Sequence, residues 1–178
     1  MREKLKKIFP EFDLIKDDVL RDKTLDVWVE AMETGGWKAE DLERIPFTLL
    51  VSDCPVNIID HTRSITKVAI ESAKVLEQHN GGAYKIDYDI LISGGLLHDV
   101  GKILEYEDHP DGIRKSPMGK LLRHPFSGAG LAMKHGLPDK VVHIIAVHAK
   151  EGDTGYRCPE AVIVHHADFM NFEPIKLG

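Results

Sequence analysis

Cysteine is nearly missing from this chain. Cys54 and Cys158 are the only two in 178 residues, and neither belongs to a CxxC pair. That excludes a disulfide framework and a thiolate zinc site. Positive charge is not in excess either: 23 Lys and Arg against 29 Asp and Glu leave a net charge of −6. With no basic run, the balance argues against binding nucleic acid by neutralising its backbone. No apolar run approaches the roughly 18 residues that suggest a membrane span, and "MREKLKKIFPEF" lacks the apolar centre of a signal peptide. The expectation is a cytoplasmic protein without membrane contact. Internal repeats, low-complexity linkers and sustained alternation of apolar and polar residues are also missing, which removes solenoid and sheet-based architectures.

What the chain does contain is enough apolar material for one core, 43% of its residues, arranged at helical spacing. Leu25, Trp28 and Met32 share a face of a predicted helix over about 18–34, ended by Gly35-Gly36. A short helix is expected over 39–44, before Pro46. His61 stands on the first turn of a segment in which Ile65, Val68, Ser72, Val75 and Leu76 repeat at three and four residues until "NGG" at 80–82. Asp87 suits the cap of the next helix, in which Leu91, Gly94 and His98 fall in line and which Gly101 is placed to stop. The charged stretch 105–123 reads as a loop with one helical turn. Pro125 and Pro138 suit the first positions of two further helices, Gly136 closing the former and His148 ending the stripe of the latter; Pro159 starts a last helix on which Val164, His165 and Asp168 share a face.

The most apolar stretch, "ILISGGLLHDVGK", ends in three ionisable groups, His98, Asp99 and Lys102. Four other helix ends or faces also direct an imidazole or carboxylate inward: His61, His124, His148 and Asp168. Burying these groups separately would cost several kcal/mol, roughly, unless each found a partner. A shared divalent cation resolves the conflict, because neutral imidazole and carboxylate oxygen are good ligands for such ions. Any one histidine alone reads better as a satisfied core or helix-end residue. The ordered set does not.

The pieces "HTRSITKVA", "GGLLHDVGK", "RHPFSGAGLA", "HGLPDKVVHIIAVHA" and "VIVHHADF" together resemble the HD-domain superfamily of metal-dependent phosphohydrolases. Within it they are similar to the HDIG group that includes the HD-GYP phosphodiesterases and ribonuclease Y. The resemblance implies an all-α fold, an HD-domain helical bundle over 55–178 with an N-terminal helical extension over 1–54 packed on it. It implies that His61, His98, Asp99 and Asp168 hold one divalent metal ion and that Asp99, His124 and His148 hold a second. Iron or manganese is expected first, with zinc, magnesium, nickel and cobalt as alternatives. The ions would share Asp99 and a bridging water or hydroxide, so Asp99 and Lys102 are the catalytic candidates. Lys102 would also steady the substrate phosphate.

In place of the "HHE" and glycine-rich "GYP" of HD-GYP enzymes, this chain has "HAKEGDTGYRCP", with Ala149 after His148. That departure points away from cyclic diguanylate and toward a small phosphorylated or nucleotide-like substrate, a phosphomonoester or phosphodiester. Lys120 and Arg123, which precede His124, are the further substrate-binding candidates, with Arg114 and Lys115 beside them. His165 is expected to hydrogen-bond a ligand from behind. His79, His109, His135, His143 and His166 are assigned to surface or loops, His109 being the one that could reach substrate. The first fifty residues can serve as core or as a homodimer surface. Two other functions are alternatives: a diiron oxygenase of the same superfamily, which uses the same ligand pattern, and a non-catalytic nucleotide-sensing module, which would not need the complete set.

Overall fold

The computed structural model describes residues 1–177. Its helices are α1 (Arg2–Ile8), α2 (Asp18–Gly35), α3 (Ile58–His79), α4 (Tyr88–Leu97), α5 (Lys102–Glu105), α6 (Pro117–Leu121), α7 (His124–Lys134), α8 (Asp139–Val147) and α9 (Pro159–Leu177). A two-stranded antiparallel hairpin, β1 (Tyr106–Glu107) and β2 (Arg114–Lys115), lies between α5 and α6. The architecture is all-α.

Side chains set three of the longer helix starts by accepting from N–H groups that have no partner within the helix. Asp17 accepts from Val19 and Leu20 at α2, Asn57 from Asp60 at α3, and Asp87 from Asp89 and Ile90 at α4. Gly36, at a left-handed φ of 74°, ends α2; few residues other than glycine take that conformation without strain.

Every residue of α4 from Ile90 to Leu97 is buried, as expected for a helix that is apolar all round. It packs against α2, α3, α8 and α9. Gly94 and Gly95 permit two of these approaches: a Cβ on Gly94 would stand 2.5 Å from Cδ1 of Ile144 on α8, and one on Gly95 would stand 2.9 Å from Oγ1 of Thr66 on α3. The N-terminal elements close the same core from the other side. Phe9 stacks on Trp28 with centroids 4.8 Å apart, while the Trp28 and Trp37 indole N–H groups donate to the carbonyls of Leu96 and Ile103, each at 2.9 Å.

Several details depart from the sequence reading. α4 ends at Leu97, and residues 98–101 form a tight turn into α5. Gly101 therefore does not stop the helix. It has ordinary helical φ, and its lack of a side chain serves a close approach: a Cβ there would stand 2.1 Å from the His124 carbonyl oxygen. The stretch 105–123 is more ordered than a loop, because it holds the hairpin and α6. Residues 39–43 form a 3₁₀ helix, α3 starts at Ile58, ahead of His61, and Pro138 is the residue before α8 rather than its first. α1 and the 3₁₀ turn at Pro10–Leu14 were not anticipated; both are too short to show a period.

Candidate metal centre

Two helix C-termini deliver two of the histidines by the same local device. His98 follows the last residue of α4 and His148 the last of α8. Each ring turns back on its own helix: Nδ1 of His98 lies 2.7 Å from the Gly95 carbonyl, and Nδ1 of His148 lies 2.7 Å from the Ile145 carbonyl. Carbonyls in the last turn lack partners within the helix, and a carbonyl can only accept. Each Nδ1 therefore carries the proton, and each Nε2 keeps a lone pair.

The other two imidazoles are fixed by side chains. His61, on α3, donates from Nδ1 to Oδ1 of Asn171 at 2.7 Å, and Asn171 in turn donates to the Ser64 hydroxyl at 3.1 Å. His124, the first residue of α7, donates from Nδ1 to Glu105 at 2.8 Å, and its backbone N–H reaches the same carboxylate oxygen at 2.8 Å. Burial opposes charge on Glu105, but the hydrogen bonds from His124 and the charge of Arg123 outweigh it and hold its carboxyl down at about 2, so it is an acceptor only.

All four Nε2 atoms consequently bring lone pairs to one place. Nε2 of His61 is 3.1 Å from Nε2 of His98, and Nε2 of His124 is 3.3 Å from Nε2 of His148. Asp99 stands between the two pairs. Its Oδ2 lies 3.2 Å from His61 and 3.4 Å from His98, and its Oδ1 lies 3.2 Å from His124 and 3.6 Å from His148. Oδ1 is buried without a hydrogen-bond partner, a costly condition for a carboxylate oxygen. Asp168, on α9, adds an oxygen 3.2 Å from Nε2 of His61. The groups His61, His98, Asp99 and Asp99, His124, His148 are each compact enough to surround one ion. Converging lone pairs, an orphaned carboxylate oxygen and mixed N/O donors fit divalent cations.

The electrostatics agree in sign. Burial opposes charge on His61, but Asp168 and Asp99 outweigh it and raise the imidazole to about 9; a proton is held where a cation fits. Asp168 is held down at about 2, its contacts with His61 outweighing burial. Burial opposes charge on Asp99, but the Lys102 ammonium beside it outweighs that cost and holds its carboxyl well below the ordinary value. Lys102 is held charged, Asp99 outweighing burial. Its Nζ donates to Oδ2 of Asp99 at 2.6 Å and to the Phe47 carbonyl.

A cavity of about 460 Å³ opens onto this centre, with Asp99, Lys102, His124 and Asp168 in its floor and Lys115 and Arg123 among its walls. Arg123 is tied to Glu105 at 2.8 Å and Glu151 at 3.1 Å. Lys120 is exposed on α6 and is not among the lining residues, because α6 turns that side chain toward solvent; the structure does not bring it to the centre. His109 is not there either and contacts Asp111 in the hairpin turn. His165 is half-buried and bonds the backbone carbonyl of His148 rather than its ring. A larger and more open groove, about 1280 Å³, surrounds the start of α4 and contains none of the six clustered residues.

Two supporting residues escaped the sequence reading. Glu105 sits in a stretch read as loop, where no period could mark it as inward-facing. Asn171 was readable in principle, being three residues after Asp168 and so on the same face of α9.

The HD domain family profile matches residues 58–170. Dihydroneopterin 2',3'-cyclic phosphate phosphodiesterase of Methanocaldococcus jannaschii is 36% identical over 114 residues, covering 62% of this chain and 44% of that protein. Ribonuclease Y of Pseudothermotoga lettingae is 30% identical over 115 residues, 65% of this chain and 18% of that protein. Ribonuclease Y of Aquifex aeolicus is 29% identical over 115 residues, 65% of this chain and 17% of that protein. The chain thus spans less than half the length of these relatives. No solved structure matches it significantly. Its clustered histidines and aspartates lie within the matched segment, and the chain belongs to the HD domain family.

Proposed function

We propose that the chain is a metal-dependent phosphodiesterase acting on a small phosphorylated substrate, with two divalent ions sharing Asp99. The single observation that carries the reading is the Asp99 carboxylate, one oxygen against each pair of Nε2 lone pairs and one of them without a hydrogen-bond partner. His61, His98, Asp99 and Asp168 would hold one ion; Asp99, His124 and His148 would hold the other. Bound there, divalent ions supply Lewis acidity toward a phosphoryl oxygen and acidify a water.

The chain's own groups account for the rest of the chemistry. Glu105, Asn171 and the two helix-end carbonyls lock all four rings in one tautomer and orientation, so little reorganisation remains when substrate arrives. Lys102 holds Oδ2 of Asp99 from behind and presents a fixed positive charge to the cavity, where it would stabilise charge developing on the phosphate. Arg123 and Lys115, which also line the cavity, would attract and orient the anion. The relative that acts on dihydroneopterin 2',3'-cyclic phosphate is 36% identical, which favours a cyclic phosphodiester of a small molecule as the substrate class.

The test is release of product from a panel of 2',3'-cyclic phosphates by manganese- or iron-reconstituted protein. Turnover is expected only with metal and is expected to fall by about 10³-fold or more in Asp99→Asn. Undiminished turnover in stripped protein or in Asp99→Asn would overturn the proposal.

A further inference from the structure

The cavity has a second wall that this chemistry leaves unused. Phe9, Phe12 and Phe47 are buried in the core, whereas Phe169 and Phe172 are only partly buried and line the cavity. They follow Asp168 by one and four residues on α9, so Phe172 lies about 6 Å along the helix axis from that carboxylate. Their ring centroids are 6.4 Å apart at 85°, which makes a corner of two perpendicular phenyl groups.

The corner is braced from behind. Phe47 meets Phe172 edge-on at 6.2 Å and stacks on His61 at 4.2 Å, while His165 packs against Phe169 at 4.6 Å. At the rim, Nζ of Lys176 stands 5.9 Å from the Phe172 ring. Lys150 and Lys176 both line the cavity, and among the described residues neither has a carboxylate within ion-pair distance.

We infer that Phe169 and Phe172 form a stacking subsite for a planar heteroaromatic ring carried by the substrate, on the cavity wall within one turn of α9, about 6 Å, of Asp168. The inference rests on the phosphoester reading above and adds the substrate's other half. A planar heterocycle meets both features of the wall: its faces stack on phenyl groups at offset or edge-on geometry, and its polar edge accepts from ammonium donors. An alkyl chain would satisfy the phenyl groups and leave Lys150 and Lys176 against hydrocarbon. The cavity volume of about 460 Å³ falls within the roughly 300–1,000 Å³ usual for small-molecule sites.

The test compares two phosphonates by calorimetry on manganese-loaded protein: 9-(2-phosphonoethyl)guanine and ethylphosphonate. They share an anionic head whose C–P bond is not hydrolysed, and only the first has a ring. The ring-bearing ligand is expected to bind about 10- to 100-fold tighter. Phe169→Leu/Phe172→Leu should bring the two to within about threefold while moving ethylphosphonate by less than about twofold. Phe172→Trp should retain the preference, and the single Phe172→Leu variant serves if the double variant melts early. Equal affinity of the two ligands for the native protein, no binding of the ring-bearing one, or a preference that survives the double substitution overturns the subsite. Ring preference in a protein that cleaves no phosphodiester upholds the subsite and sinks the hydrolase reading. Equal kcat/KM for ring-bearing and ring-free esters does the reverse.

Discussion

Gly101→Ala puts the geometry of the centre under a direct steric load. The added Cβ would stand 2.1 Å from the His124 carbonyl oxygen, 2.7 Å from Oγ of Ser127 and 2.8 Å from the Gly128 nitrogen. Two of the three are backbone atoms near the start of α7, so no side chain can swing aside to relieve the clash. To restore ordinary contact, the start of α7 has to retreat by about 1 Å or more, and His124 goes with it. Overpacking of this kind costs about 1–3 kcal/mol, equivalent in a chain of this size to roughly 2–12 °C in Tm. A displacement of about 1 Å can cost on the order of 10²-fold in rate. The assay is metal content by elemental analysis together with phosphodiester turnover. Gly101→Ala is expected to fall from the two ions per chain proposed above toward one, because His61 and Asp168 lie on α3 and α9, which need not move, and His98 is tied back to the end of α4 through the Gly95 carbonyl. Gly94→Ala is the control: its nearest contact, 2.5 Å, is the Cδ1 methyl of Ile144, the far end of a side chain, so both ions should remain. Unchanged stoichiometry and turnover in Gly101→Ala would refute the claim that the approach of α7 to this turn places His124.

Glu105→Gln should weaken the His124-side ion selectively, by about 10- to 100-fold, measured by competition with a chelator; equal loss at both positions would contradict the assignment of Glu105 to His124. The same substitution bears on acid stability: a carboxyl held at about 2 contributes stability above its ordinary 4.5 that is lost as pH falls through 2, so the acid limb of a denaturation profile should flatten between those values. His61 has the opposite sign. With its folded value raised to about 9, it stabilises the metal-free protein fully below about 6.5 and the contribution is lost as pH rises through 9. Because the ion must displace that proton, metal affinity should climb by about tenfold per pH unit across the same window; a flat titration would mean that His61 is not a ligand. Trp28→Ala removes a fully buried indole that stacks on Phe9 and donates to Leu96, and should cost about 3–5 kcal/mol in urea unfolding.

The long helices were legible because their burial is periodic and their ends carry the chemistry that ends need: Asp87 before α4, Gly36 after α2, Pro159 at the start of α9. The order within 105–123 was not, since a two-residue hairpin and a five-residue helix are too short to show a period. Side-chain direction on short helices was equally hidden. Lys120 and Arg123 look alike as basic residues ahead of His124, yet one faces solvent and the other is drawn into the cavity wall by Glu105 and Glu151, carboxylates that no local pattern connects to it.

The histidine positions were readable for a more specific reason than the HD dipeptide. His98 and His148 each stand one residue beyond an apolar helix, and each ring satisfies a last-turn carbonyl three residues back through Nδ1. A histidine so placed has one nitrogen committed as donor by its own helix and the other turned away from it as a lone pair. One such residue is a helix terminator with a spare acceptor. Two on helices that meet in a core, with Asp99 directly after the first, bring spare acceptors together where water is excluded, and that arrangement is unfavourable until a cation joins them. The centre therefore follows from what the C-terminal ends of two apolar helices already require, and Asn171 and Glu105 extend the same constraint to the two histidines that no helix C-terminus orients.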